Sequence, residues 1–446
     1  MGDLYRKNNC RYCESALGPA FLDLGAVALA NSYVRPEDSS QEEFKCPLAL
    51  TWCAKCALVQ LTHAVPADLM FKNYLYVSST TQTFRDHFAE YAKSVKTRLN
   101  SVILRPKAEE SREILRSAQD DALPLAVDIG SNDGLLLACY QKEGMRAVGV
   151  DPAENLSKAA NENGLVTINR YFDAESVKMI REKFGPADAV SANNVFAHID
   201  DIASVCRNVA ALLDDKGIFS IEFPYLTVML DELLFDMIYH EHLSYIAVNP
   251  LSYVLARFGL EIFDIEQVAS HGGSLRVFVQ KKNTGGRPVT PIVGELMRKE
   301  RERGCLEAGV YRKFADQVKE TRRGFMELVR DLKKSGKTIS GYGAPAKAST
   351  IINYYGLTRS EIDFMVDDNP LKQGYFVPGA KIPIVPGTRL FEKPTDYVII
   401  FAWNFAKEIL RKIGPLREKG VEFLVPVGGS ARSASSAPSA VFSFRG

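Results

Sequence analysis

The chain has 446 residues, 46% of them hydrophobic and 24% charged, with a formal net charge of +1 from 55 basic and 54 acidic side chains. That balance excludes a general nucleic-acid coat or an anionic-membrane binder, and leaves open a local basic pocket for a phosphorylated small molecule. The opening MGDLYRKNNC lacks the apolar core of a signal peptide, and no run of about 18 apolar residues offers a transmembrane helix, so a cytoplasmic protein of two to four domains is expected.

Residues 1–65 carry two cysteine pairs and short β-like segments such as Ala57–Leu61. Each of Cys10-x-x-Cys13 and Cys53-x-x-Cys56 can place two thiolates at zinc-bonding distance, and together they complete a tetrahedral sulfur shell. A shell of four cysteines has no open position, so this zinc is expected to be structural; four unrelated buried thiols or a redox pair are the alternatives. Cys46 has no CxxC partner, and Cys139, Cys206 and Cys305 read as ordinary buried thiols. Eight cysteines are too sparse for a disulfide scaffold.

Residues 66–120 read as a mainly helical connector with a charged run near Lys107–Arg112. Within it, Tyr74 and Tyr76 of NYLYVSS alternate as on an extended segment, either as a packed aromatic pair or as site residues.

Residues 121–282 alternate strand and helix patterns, from LAVDIG through RAVGVD, DAVSANNV and GIFSIEF to LRVFVQ, which predicts a parallel, helix-covered sheet. In Asp128-Ile-Gly130-Ser-Asn132-Asp-Gly134 a strand enters a glycine turn and then a helix. Gly130 and Gly134 let backbone approach a ligand with no Cβ in the way. Asp151 ends the next strand, where a carboxylate can take two ribose hydroxyls. GxGxxG is absent, and acid-x-Gly-x-x-x-Gly looks like the methyltransferase version of this loop, so S-adenosylmethionine is expected ahead of a dinucleotide or an empty structural turn. Asn193, Asn194 and His198 follow the strand DAVSANNV, at the carboxyl edge that lines a ligand crevice, or else they cap the loop.

Three of the six histidines fall in two short segments, Tyr239-His240-Glu241-His242 with Tyr245 beyond, and His271-Gly272-Gly273-Ser274-Leu275-Arg276. A histidine steadied by a nearby Glu can act as a general base near neutral pH, and a tyrosine hydroxyl can support an oxyanion. Gly272 and Gly273 would permit a close approach to substrate, and Arg276 could meet a phosphate. The structural alternative, satisfied polar residues in a loop, stays open, as does a second metal site.

Residues 283–335 begin with NTGGRP and continue as one charged helical stretch from about Val293 to Lys334. Residues 336–428 restart a βα pattern with KTISGYG, KASTIINYYG, EIDFMVDDN and DYVIIFAW, and residues 429–446 form a small, polar tail expected to be disordered.

The set PLALTWCAKCALVQL, NYLYVSS, DIGSNDG, YHEHLSY, HGGSLR, GYGAPAKA, VDDNPLKQG, PGAKIPI and AWNFAKEI, spread from Cys10 to about Val427, resembles the sugar C-methyltransferase family. The resemblance implies an α/β fold in three parts: a small zinc domain, a class I Rossmann-like methyltransferase domain and a C-terminal Rossmann-like domain. It implies methyl transfer from S-adenosylmethionine to C3 of a nucleotide-linked 4-keto-deoxyhexose through an enolate, in deoxysugar biosynthesis. His242 then matches the proposed base, Tyr239 and Glu241 orient it and support the oxyanion, and Tyr76, Asn194 and His198 lie near the sugar. In the last domain Gly341, Gly343 and Lys347 would surround phosphate or nucleotide, and Asp367 sits where a ribose acid would; packing or dimerisation is the alternative for that domain. A C5-, O- or N-methyltransferase is the competing activity, and a monomer or homodimer without nucleic-acid or membrane partners is expected.

Overall fold

The computed structural model describes residues 5–72, 77–80, 82–101 and 123–427. Tyr74, Tyr76, the charged run near Lys107–Arg112 and the tail 429–446 lie outside the described residues.

Seven strands build the central sheet: β1 (Leu125–Ile129), β2 (Arg146–Val150), β3 (Thr167–Ile168), β4 (Ala187–Asn193), β5 (Leu213–Pro224), β6 (Leu260–Val268) and β7 (Ser274–Lys281). Their order is β6-β7-β5-β4-β1-β2-β3. All five residues of β1 are buried, because helices cover both faces of the sheet. Period two sorts its side chains. Leu125, Val127 and Ile129 join Val177, Ile180, Val205 and Val209 of helices Ala174–Phe184 and Ile202–Leu212. Ala126 faces Tyr91, Val95, Leu136 and Tyr140 of helices Gln82–Asn100 and Leu135–Lys142.

One expectation changes here. The segment LRVFVQ lies in β7, which runs antiparallel to both β5 and β6, so the sheet is mixed. Residues 269–273 between β6 and β7 are too few for a crossover helix, and a short connection permits only an antiparallel neighbour.

The N-terminal unit is an antiparallel sheet of Leu22–Ala28, Lys45–Trp52 and Val59–Leu61, and its edge is completed by Ser244–Tyr245 from the central unit. The strand begins at Val59, not Ala57, because Ala57 has φ 62° and belongs to the turn that returns Leu58 carbonyl to Cys53 N–H.

The helical stretch expected over about Val293–Lys334 is two helices, Pro291–Glu302 and Ala308–Lys334, broken where Gly304 takes φ 81°. Beyond it lies a five-stranded parallel sheet of Ile339–Tyr342, Met365–Val366, Ile384–Val385, Tyr397–Ile400 and Glu422–Leu424, ordered third-second-first-fourth-fifth. This sheet and the central one both reverse direction of winding beside their first strand, which places ligand crevices at the ends of β1 and of Ile339–Tyr342. No helix among the described residues is long and apolar enough to cross a membrane.

Candidate active site

Cys10, Cys13, Cys53 and Cys56 converge, with all four Sγ atoms within 4.8 Å of one another. Cys10–Cys56 and Cys13–Cys53 sulfurs lie 3.4 and 3.5 Å apart, and every cysteine is buried and unbridged. The second knuckle is the hairpin between Lys45–Trp52 and Val59–Leu61. Hydrogen bonding from Cys56 pulls the Cys10 thiol down to about 5, and burial pushes Cys53 up to about 11. Four buried sulfurs so crowded suit a tetrahedral divalent cation, which all four thiolates would hold.

Gly130 and Gly134 take φ 69° and 82°, and a Cβ on them would lie 2.7 Å from a Val195 methyl and 2.5 Å from a Leu165 methyl. Between them Asn132 also takes a positive φ of 53°. The Asp151 carboxylate holds this loop: one oxygen accepts Asn132 N–H and the other Ala153 N–H, both at 2.8 Å. Each oxygen keeps a further lone pair for a ribose hydroxyl. Burial raises the pKa of Asp151, against those two N–H groups. Asp128, which accepts Ser191 Oγ–H at 2.5 Å, is pushed up to about 7 by burial. Asn193 Oδ1 accepts from Asn194 at 2.9 Å, and Asn194 itself has φ 52°. Around this loop Ser131 Oγ, Asp133 Oδ1, Asn193 Nδ2 and Asn194 Oδ1 are buried with no hydrogen-bond partner among the described residues. A ligand with an amino-acid end and a ribose, as S-adenosylmethionine has, fits that set.

The third site is a small cleft whose lining includes Ala197, Pro224, Tyr225, Met237, His242 and Gly273. His242 Nδ1–H donates to the Met237 carbonyl at 2.8 Å, which leaves Nε2 as the acceptor, and the Tyr239 hydroxyl donates to it at 2.7 Å. The carbonyl therefore fixes the tautomer that a base needs. The His198 ring lies 5.0 Å from the His242 ring and 5.8 Å from Phe71, and burial pushes its pKa down to about 4. Glu241, expected beside the base, accepts from Asn31 of the N-terminal unit at 2.6 Å. His240 faces the same unit and donates to the Cys46 carbonyl at 3.2 Å.

The HGGSLR segment divides. Gly272 and Gly273, at φ 91° and 137°, pack against Trp403 and Val228, and Ser274 Oγ–H donates to the Ser270 carbonyl. The side chain of His271 is outside the described set. Arg276 is not offered to a phosphate. Its Nε and Nη2 reach Glu222 at 3.0 and 2.9 Å, Nη1 reaches Glu266 at 3.2 Å, and its head lies over the Tyr91 ring. Glu222, fully buried on β5, draws the guanidinium inward, since an unpaired carboxylate there would be far costlier.

In the C-terminal sheet Asp367 repeats the geometry of Asp151: one oxygen accepts Ala344 N–H at 2.7 Å and the other Asn369 N–H at 2.9 Å. A Cβ on Gly343 would meet Ala402 at 2.5 Å, and one on Gly341 would meet Met365 Sδ at 2.1 Å. Lys347 opens helix Ala346–Tyr355, lies over the Trp403 ring at 4.8 Å, and its buried Nζ has no hydrogen-bond partner among the described residues. Burial lowers its pKa, and Asp236, which accepts Trp403 Nε1–H at 2.6 Å, opposes that. Sequence reasoning missed Asp236, Trp403 and the Met237 carbonyl. Trp403 stands in AWNFAKEI, but nothing local marks it as a neighbour of Gly272, and a backbone carbonyl leaves no signature at all.

Comparison with known sequences finds the family "Putative zinc binding domain" over residues 10–71, "Methyltransferase domain" over 105–265 and "C-methyltransferase C-terminal domain" over 269–428. C-methyltransferase NovU of Streptomyces niveus is 35% identical over 428 residues, covering 96% of this chain and 97% of that protein. The ubiquinone biosynthesis O-methyltransferase of Methylococcus capsulatus is 29% identical over 157 residues, covering 32% of this chain and 65% of that protein. Among solved structures, magnesium protoporphyrin IX methyltransferase from Synechocystis PCC 6803 superposes with a TM-score of 0.30 at 14% identity, covering 45% of this chain and 88% of that one.

Proposed function

This chain belongs to the S-adenosylmethionine-dependent C-methyltransferases, with a zinc domain ahead of the catalytic one, and from that premise we propose that it methylates C3 of a nucleotide-linked 4-keto-deoxyhexose with His242 as the base. The observation that carries the proposal is the setting of His242: its Nδ1–H is held by a carbonyl and its Nε2 is turned toward a tyrosine hydroxyl, in a cleft at the carboxyl edge of the sheet.

When bound, the donor supplies an electrophilic methyl group on a sulfonium. The chain does the rest. A C4 carbonyl acidifies the C3 hydrogen of the sugar, and Nε2 of His242 takes that proton. The electron pair left on C3 spreads onto the C4 oxygen. Tyr239, whose hydroxyl rests on Nε2, turns to that oxygen, which frees the base and stabilises the enolate in one movement. His198, neutral at pH 7 because burial holds its pKa near 4, and Asn194 border the sugar without adding charge. Tyr76 is a further sugar contact. Asp128, Gly130, Asn132, Gly134, Asp151 and Asn193 hold the donor. Gly272, Gly273, Ser274 and His271 form the sugar wall, while Gly343 and Lys347 take the nucleotide diphosphate, whose charge would meet the Lys347 Nζ that has no hydrogen-bond partner among the described residues, and Asp367 takes the ribose hydroxyls.

Incubation with methyl-labelled S-adenosylmethionine and a panel of nucleotide 4-keto sugars tests this. Label on C3 of one sugar is expected; label on oxygen, nitrogen or C5 overturns it. In deuterium oxide without donor, the wild type should exchange the C3 hydrogen and His242→Ala should not.

A further inference from the structure

We propose that Arg11 is a positioning residue for the reaction, coupling the zinc knuckles to the two loops that carry His198 and His242. The proposal rests on the reading that these histidines serve catalysis, but the coupling itself is a property of the chain and is measurable without substrate.

Arg11 sits between two metal ligands, Cys10 and Cys13, so its Cα is fixed wherever the sulfur shell is closed. Its side chain is 1% exposed, an unusual place for a guanidinium. From there it makes two sets of contacts. Nε donates to Asp200 Oδ1 at 2.9 Å, and Asp200 lies two residues beyond His198. Nη1 donates to the Leu61 carbonyl at 2.7 Å and to Gln60 Oε1 at 3.0 Å, while its own backbone N–H donates to the same Gln60 oxygen at 3.1 Å.

The second set leads to the other histidine. Gln60 and Val59 pair with Ser244 and Tyr245 as the sheet edge, and Leu61 N–H donates to the Leu243 carbonyl at 3.0 Å. Leu243 follows His242 directly. One planar cation therefore holds, on one side, the turn that ends in His198 and, on the other, the strand against which the His242 segment is laid. The two rings end 5.0 Å apart. Neither loop has an α-helix or a long strand of its own to fix it: His198 ends the single 3-10 turn Phe196–His198, and the strand after His242 is two residues long. A rigid fork with fixed donor directions can set both at once; a lysine ammonium, a point charge on a flexible stem, cannot.

The test uses the full-length, zinc-loaded protein with carbon-13 labelled histidine rings, in wild type, Arg11→Lys and Asp200→Asn. Six histidines keep the spectrum assignable. Zinc content and the thermal transition are measured on each sample. The expected result is that both variants keep stoichiometric zinc and shift the ring signals of His198 and His242, with His87, which sits on helix Gln82–Asn100 and pairs with Glu222, unchanged. With substrate, kcat should fall on the order of 10- to 100-fold with KM for the methyl donor little changed, and the pH profile should move. Unmoved His198 and His242 signals in both variants overturn the coupling. Should Arg11→Lys fail to fold, Asp200→Asn decides, set against Lys7→Ala, which removes the other cation on Asp200 and should leave both rings unmoved. Shifted rings with unchanged kcat would instead leave the coupling standing and remove the catalytic reading of the histidines.

Discussion

Arg276 shows how burial redirects a charged side chain. On β7, 3% exposed, it serves Glu222 and Glu266. Arg276→Ala should therefore cost about 3 kcal/mol of stability, the lower end for a broken buried pair because His87 and Ser270 still meet Glu222, read as a lower urea midpoint; a rise in substrate KM with unchanged stability would point back to a phosphate contact. At the cofactor loop, Gly130→Ala forces a β-carbon onto Val195 and a side chain into φ 69°. A loss of S-adenosylmethionine affinity of at least about tenfold is expected, on the order of 1.4 kcal/mol, measured by calorimetry; wild-type affinity would refute the close approach. The histidines set a pH window. Burial pushes His198 and His240 down to about 4, below the value of about 6.5 they take when unfolded. The unfolded chain then binds more protons between these values, so their stabilising contribution is complete above about pH 6.5 and is lost as pH falls toward 4. His240→Gln, which keeps a donor for the Cys46 carbonyl, should flatten the slope of stability against pH by up to about 1.4 kcal/mol per unit in that window. An unchanged slope in urea titrations would show that His240 is already protonated in the fold.

At the scale of elements, the zinc hairpin reaches into the catalytic unit. Cys53 and Cys56 close the turn between Lys45–Trp52 and Val59–Leu61, and the latter strand carries Ser244–Tyr245 on its free edge. Losing the metal should therefore damage kcat more than donor binding, since the glycine loop hangs from β1 and β2 instead. In Cys53→Ser we expect sub-stoichiometric zinc, a lower thermal midpoint, and a kcat reduced at least about tenfold while donor affinity changes much less. Calorimetry and metal analysis on one preparation check this; full kcat in zinc-free protein would show the hairpin to be independent of the metal. The sequence-level expectation of a wholly parallel sheet failed at β7 for a related reason. Strand patterning shows where a strand lies, but direction is set by the length of the connection and the edge left open.

At the scale of the molecule, the three units share one central surface. Helix Ala346–Tyr355 of the C-terminal unit donates from Ser349 to the Ala30 carbonyl and from Thr350 to the Ile238 carbonyl, both fully inside the protein. Tyr33 reaches the Ala344 carbonyl from the N-terminal unit, at 2.5 Å. Cutting the chain after residue 335 would expose the Ala30 and Ile238 carbonyls, the Tyr33 hydroxyl and the apolar surface around Phe235, so the fragment should aggregate or lose the catalytic cleft. A monodisperse, active 1–335 fragment in size-exclusion chromatography would show the C-terminal unit to be an appendage.

Much of this protein was legible without coordinates. The two CxxC knuckles, the glycine loop with its acid at the end of the next strand, and the βα rhythm of both Rossmann-like units are local patterns, and each depends on residues close in the chain. Only the tertiary structure decided which side chains meet across distance. It brought Trp403 to Gly272, Arg11 to Asp200, and the Met237 carbonyl to His242, and it turned Arg276 from a phosphate contact into the partner of Glu222. Spacing encodes what a segment can do by itself; the partner of a buried charge is selected by whatever opposite charge the fold carries to it, and no window of sequence contains that information.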